Sequence, residues 1–306
     1  MTAIFAHAWW SAFVFASGAP LGALALRLIG RLTGGRWASA EPLARLSALT
    51  PWLGLLVLPG ILLTPWTFPT PPPGPAAAYL AAPAHIARTA LALIGWSLIA
   101  VGMNRVRGRL FAALALVFHG VAVSLVSVDW IMTIAPGWIS SAGGMTLADQ
   151  QFALALAVTL VSLGEAGQAL RKDIAGLLTA MLLANLYFAL MTYVVPWYGD
   201  LPGKTLWFRQ RADAPWQALL AAGLTVGSIA PLILLALGRR RPAVVRFAGF
   251  AACAGLALQA IWWSAPAPGE LSLPLATLLV AAAGAGLVVL AGGWRPDAGE
   301  RLAHAR

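Results

Sequence analysis

Charge is what this 306-residue chain has least of. Only 10% of its residues are Asp, Glu, Lys or Arg, where a soluble domain carries about 25%. Acidic residues number 10 and histidines 4. The single cysteine, Cys253, sits in an apolar run and reads as a small packing residue. One cysteine excludes an intrachain disulfide, a thiolate-held iron–sulfur cluster and a cysteine zinc site. Metal-ligand spacing, a Walker loop and a nucleophile elbow are also missing from the sequence. A transmembrane b-type haem needs two axial ligands at matching depth. His119 alone falls deep in an apolar run, while His7, His85 and His304 are terminal or near a boundary. The expectation is no metal and no intrinsically bound cofactor, with a diffusible quinone or quinol as the one candidate ligand.

What the chain has is apolar length. It is 60% hydrophobic, with a mean hydropathy of +0.81. A membrane-spanning helix needs about 20 apolar residues, and such runs lie at roughly 3–28, 47–65, 82–102, 109–133, 146–166, 173–197, 215–238, 243–264 and 272–293. The fold class expected is an all-α integral membrane protein of about nine transmembrane helices, with residues 1–306 forming one polytopic membrane domain. The first run is too long for a signal-peptide core and lacks a basic segment before it, so it reads as a retained first helix. The stretch from Thr67 to Pro75 is proline-rich and uncharged, a stiff spacer.

The cations sort by loop. Arg27, Arg31, Arg36 and Arg45 follow the first run, and Arg105, Arg107 and Arg109 follow the third. Arg171 and Lys172 follow the fifth, Arg239, Arg240, Arg241 and Arg246 the seventh, and Arg295, Arg301 and Arg306 lie in the tail. The intervening loops hold Lys204, Arg209 and Arg211, with Arg88 just inside the third helix. Positive residues concentrate on the cytoplasmic side, which predicts the N-terminus outside and the C-terminus inside. The net charge of +10 therefore follows loop topology, and the partner it implies is a lipid bilayer, not nucleic acid.

Against this background the stretch Ser124–Trp138 places a carboxylate, Asp129, at the outer end of the fourth helix. Burying it costs a few kcal/mol or more unless it is paired, neutralised or wetted; capping the following turn or sitting in interfacial water is the alternative. Trp130, Trp138 and Trp197 read as interfacial aromatics. Arg88 is the candidate counter-ion, with His85 nearby; snorkelling to the interface is the competing reading. His119 is a proton-relay or quinone-contact candidate, or a neutral histidine bonded to a neighbouring helix. Ten residues separate it from Asp129, about 15 Å along the axis and roughly 80° around it, so the two cannot touch. Ser127 stands beside Asp129. On the sixth helix Asn185 and Thr192 share a face and read as interhelical hydrogen-bonding groups or ligand contacts. Asp173 opens that helix as a cap, and Glu165 and Gln168 end the fifth, together forming an inner polar mouth.

Several segments, in order, resemble a known family. Leu32-Thr33-Gly34-Gly35-Arg36-Trp37 resembles the LTGGRW stretch of the ActF subunit of bacterial alternative complex III, a quinol:cytochrome c (or cupredoxin) oxidoreductase subunit of the wider NrfD/PsrC-like superfamily. Tyr79, Leu80, Pro83 and Arg88 match its Y-L-N-x-P-x-x-x-x-R pattern, and Ser127 to Trp138 is similar to its S-x-D-W-x-M-S-x-x-P-H-W pattern. Asp173–Leu178 and Trp197–Pro202, with Thr205, Trp207 and Arg211, resemble two later motifs. Departures are Thr133, Ala135 and Gly137 within the third motif, Gly203-Lys204 in place of two glutamates, and nine helices in place of ten. The resemblance implies two adjacent four-helix bundles with a peripheral helix, in the bacterial cytoplasmic membrane. It implies as partners a paralogous quinol-oxidising membrane subunit and haem c and iron–sulfur subunits. It implies the role of a scaffold, or of a proton conduit, without its own redox cofactor, Asp129 and Asp173 carrying polar positions of the family. Two other readings stand beside it: a quinone-binding anchor of a molybdenum/iron–sulfur oxidoreductase, requiring a quinone pocket lined by Asp129, His119 or Arg88, and a stand-alone transporter, requiring paired broken helices.

Overall fold

The structure, a computed structural model, describes residues 1–71, 73–134, 138, 140–163, 167–265 and 272–292. Among these residues nine helical segments are long and apolar enough to cross a bilayer, and no strand occurs. The chain is a multi-pass membrane protein.

The first long helix, α1, runs Thr2–Thr33, five residues past its expected end. It stops where Gly34 takes the left-handed conformation at φ 74°, which a side chain resists. The second crossing (Glu41–Leu62) is not one helix but a series of short pieces: α2 (Glu41–Ala48), α3 (Leu53–Leu56) and α4 (Leu58–Leu62), followed by α5 (Thr64–Thr67). Pro42, Pro51, Pro59 and Pro65 each remove a backbone donor, and every piece begins within two residues of one of them or at the turn it forces. After α6 (Ala77–Leu80) come α7 (Ala82–Arg105), α8 (Arg109–Trp130), α9 (Gly143–Ser162) and α10 (Gln168–Tyr198). The short α11 (Pro202–Arg209) precedes α12 (Ala214–Leu224) and α13 (Ala230–Gly238), which are joined by a π-turn at Thr225–Ile229. Pro231 lacks the N–H that would bond back across that turn, and the wider turn absorbs the gap. The last two are α14 (Pro242–Ser264) and α15 (Ser272–Gly292).

Packing radiates from α1 and α9, the two most enclosed of these crossings. Small residues let their backbones meet: a Cβ on Gly22 would overlap the backbone of Gln151. One apolar cluster joins Trp10, Phe13 and Leu24 of α1 with Leu53, Trp96, Ala115 and Val126. A second joins α9 with α10, α12 to α15 and the other face of α1. Outward, Leu91, Ile94 and Leu98 on α7 and Leu110, Leu114, Val117 and Val121 on α8 are exposed at helical spacing. Such stripes suit contact with lipid, which solvates them as the core would.

At one end of the array, arginines close helix ends. Arg31 donates to the carbonyls of Met103 (2.8 Å) and Val106 (2.6 Å), where α7 finishes. Arg109 donates to Leu32 O (2.8 Å), and Arg45 to Ala291 O (3.3 Å). The last carbonyls of a helix lack intrahelical donors and carry partial negative charge, so a guanidinium there satisfies both.

Candidate functional site

The link Val106–Gly108 turns α7 straight into α8, so the start of α7 lies beside the end of α8. Arg88, in the second turn of α7, therefore faces Asp129, one residue from the end of α8. The contact is bidentate: Arg88 Nε donates to Oδ2 at 2.9 Å and Nη2 to Oδ1 at 2.5 Å. Nη2 also donates to Tyr79 O at 2.7 Å, and the guanidinium lies 3.7 Å over the Tyr79 ring. Asp129 is 0% exposed. His85 Nδ1 stands 3.8 Å from Oδ1, beyond hydrogen-bond reach. The His85 ring is itself enclosed by Phe68, at 4.4 Å between centroids, and Trp10, at 5.8 Å.

Around this pair the indoles are bracing elements. Trp10 Nε1 donates to Trp130 O (2.8 Å), and Trp130 Nε1 to Thr89 Oγ1 (3.1 Å). Trp130 and Trp138 are thus core residues, not the boundary aromatics expected; their N–H or ring faces are used inside the bundle. Trp197, 46% exposed, does stand at the surface. A carboxylate held by two guanidinium nitrogens has its oxygens committed, so the site as it stands anchors α7 to α8 and offers a substrate no vacant carboxylate.

His119 is separate from that pair. Trp96 Nε1 donates to His119 Nδ1 at 3.1 Å, which leaves the ring proton on Nε2. Nε2 is buried with no hydrogen-bond partner among the described residues, and the ring stacks on Phe152 of α9. Ser127 Oγ donates to Ser124 O (2.8 Å) and lines a cavity of about 10 Å³ with Ser140, Thr146, Gln150, Thr192 and Trp263. That volume holds about one water.

On α10, Asn185 and Thr192 are both buried on one face. Ser228 Oγ, in the π-turn, donates to Asn185 Oδ1 at 3.0 Å. Asp173 does not cap α10: the helix starts at Gln168, five residues earlier, and Asp173 is exposed. Gln168 accordingly opens α10 instead of ending α9, which stops at Ser162. Glu165, Ala135 and Gly137 lie outside the described residues.

The polar run Asp149-Gln150-Gln151 has no motif that marks it in the sequence. All three are on α9, Asp149 5% and Gln151 1% exposed. Among the described residues neither Asp149 oxygen and neither Gln151 amide atom has a hydrogen-bond partner. Asn185 faces Asp149 without completing a well-aligned bond. The signal available was an acidic residue inside an otherwise apolar run.

A third cluster ties α11 to α14. Trp138 stacks on Trp207 (4.5 Å between centroids), and Trp207 stacks on Trp263 (5.4 Å). Arg211, 3% exposed, lies 3.9 Å over Trp207 and donates to Ala265 O (2.8 Å) and Trp262 O (3.3 Å). Burial pushes its guanidinium down to about 9, which leaves it charged at neutral pH.

No protein-family model matches this chain, and no curated protein sequence is significantly similar to it.

Proposed function

We propose that this chain is a non-redox membrane subunit of a quinol-oxidising respiratory complex of the alternative complex III type, an ActF-like scaffold in the bacterial cytoplasmic membrane. In this reading the arginine-closed end faces the cytoplasm, the N-terminus lies outside and the C-terminus inside. The bundles are α1 with the broken second crossing, α7 and α8, beside α9, α10, α12–α13 and α14, with α15 peripheral. The partners are a paralogous quinol-oxidising membrane subunit and haem c and iron–sulfur subunits.

One observation carries the reading: segments that resemble the family, though far apart in sequence, meet in space. Tyr79 and Arg88 from one motif close on Asp129 from another. Trp138 from that second motif stacks on Trp207 from a later one, over which Arg211 lies. Motif residues that brace helices to one another are what a scaffold requires. The Arg88-bound Asp129 and the Trp96-bound His119 make no mutual contact, so a proton path through them needs intervening water or further groups.

The rival anchor reading needs room for a quinone ring. The cavity beside Ser127, at about 10 Å³, has room for about one water, and the larger space of about 590 Å³ between α14 and α15 is apolar and lined by none of Asp129, His119 and Arg88. The transporter reading needs interruptions at corresponding positions of two repeats. The broken crossing and the π-turn fall instead in the second helix of one proposed bundle and the third of the other.

The test is purification of the tagged protein from its native membrane in mild detergent, with absorption spectra and identification of co-purifying chains. Co-purification of c-type haem and iron–sulfur subunits is expected. A colourless, monodisperse protein without partners overturns the assignment.

A further inference from the structure

We propose that Asp149 is a buried protonation site: its carboxyl is held neutral inside the α9–α10 contact and exchanges its proton with water entering from the α9 N-terminal end. This stands on geometry and is independent of the quinol-complex assignment.

A carboxylate in an apolar interior must be paired, hydrogen-bonded or neutralised. The chain demonstrates pairing at Asp129, where a guanidinium takes both oxygens. Asp149 is enclosed to a similar degree, yet neither oxygen accepts a bond. The helices packed on α9 carry titratable or charged groups at His7, Arg27 and Arg31 (α1), Glu41 and Arg45 (α2), Arg109, His119 and Asp129 (α8), Arg171, Lys172, Asp173 and three tyrosines (α10), and Arg246 and Cys253 (α14). Among the described residues no ion pair reaches Asp149, and the group that faces it is the neutral amide of Asn185. His119 approaches α9 at Phe152, one turn further along, as a neutral ring whose Nε2–H is unsatisfied. With no cation and no aligned donor at either oxygen among the described residues, the geometry points to neutralisation by a proton.

Ser228 donates to Asn185 Oδ1, which fixes the amide that faces Asp149. The partner Ser228 belongs to a π-turn, a helix irregularity that recurs at functional sites. Water can come close: the cavity lined by Thr146, Gln150 and Thr192 lies one α9 turn from Asp149, and Thr192 continues along α10 to Asn185. A second cavity of about 20 Å³ opens on the other side of Gln150, against Gln151 and Gly18. Each holds about one water.

The experiment is infrared difference spectroscopy of the protein in native membranes at neutral pH, wild type against Asp149→Asn. The expected result is a protonated-carboxyl C=O band that shifts in D2O, is lost in Asp149→Asn and moves in Asp149→Glu. Because Asn is the neutral isostere, Asp149→Asn should accumulate like the wild type. Should it not, the Asp149→Glu shift and the D2O shift of the wild-type band are the deciding readouts. Carboxylate bands in place of the C=O band overturn the proposal. So does a C=O band that appears only when sodium is replaced by choline, since a monovalent cation would then hold the site.

Discussion

Arg88 and Asp129 sit at opposite ends of two consecutive helices, yet share two contacts, at 2.9 and 2.5 Å, with the carboxylate fully enclosed. Taking either partner away strands a charge where water cannot replace it. Arg88→Leu is therefore expected to destabilise the protein by about 3–5 kcal/mol, while the double variant Arg88→Leu/Asp129→Leu recovers much of that loss. Arg88→Lys falls between them, because an ammonium cannot match both oxygens. Thermal melting in detergent measures all three; equal losses for the single and double variants would refute the pairing as the cause.

Close backbone approach makes a second expectation. A Cβ on Gly255 would overlap the backbone of Gly227 in the π-turn, and one on Gly22 the backbone of Gln151. Gly22→Ala and Gly255→Ala should each cost at least about 1–3 kcal/mol, since backbone cannot step aside as a side chain can. Gly286→Ala, with nothing within 4 Å of the added methyl, should slightly raise helix stability. Melting temperatures of the three variants decide it.

Arg31 binds two carbonyls at the end of α7. Arg31→Ala should lower stability by about 1–2 kcal/mol. Arg31→Lys should recover part of this loss, as its ammonium is long enough to reach one of the two acceptors. Limited proteolysis of the link Val106–Gly108 should accelerate in Arg31→Ala, and an unchanged cleavage rate would refute the capping role.

For Arg211 the sign follows from burial. Its folded pKa, about 9, lies below the ordinary guanidinium value of 12.5. Below about 9 both folded and unfolded chains hold the proton, so its contribution does not vary with pH. Above 9 the folded protein releases it first, and stability rises relative to Arg211→Gln. Arg211→Ala leaves the carbonyls of Trp262 and Ala265 without their donor, at about 1–3 kcal/mol each. Melting curves of wild type and variants across the alkaline range measure both effects.

The membrane class, the nine segments long and apolar enough to cross among the described residues, and the sorting of the cations by loop were legible in the sequence because each rests on local quantities. A crossing is a count of consecutive apolar residues, and loop charge is a count between crossings. The Arg88–Asp129 pair was also within reach, since two charges near one end of neighbouring helices have few other partners. Tertiary structure decided what depends on direction. The broken second crossing is set by prolines in an otherwise sufficiently apolar run, and Trp130 and Trp138 turn inward because acceptors and ring faces await them there. Arg211 reads as an ordinary loop cation until the Trp207 ring and two α14 carbonyls close over it. Asp149 escapes a hydropathy reading because one acid scarcely moves the mean of a 20-residue run, whereas the packing of α9 determines whether that acid meets lipid, water or a neighbour. Here it is buried facing Asn185 of α10.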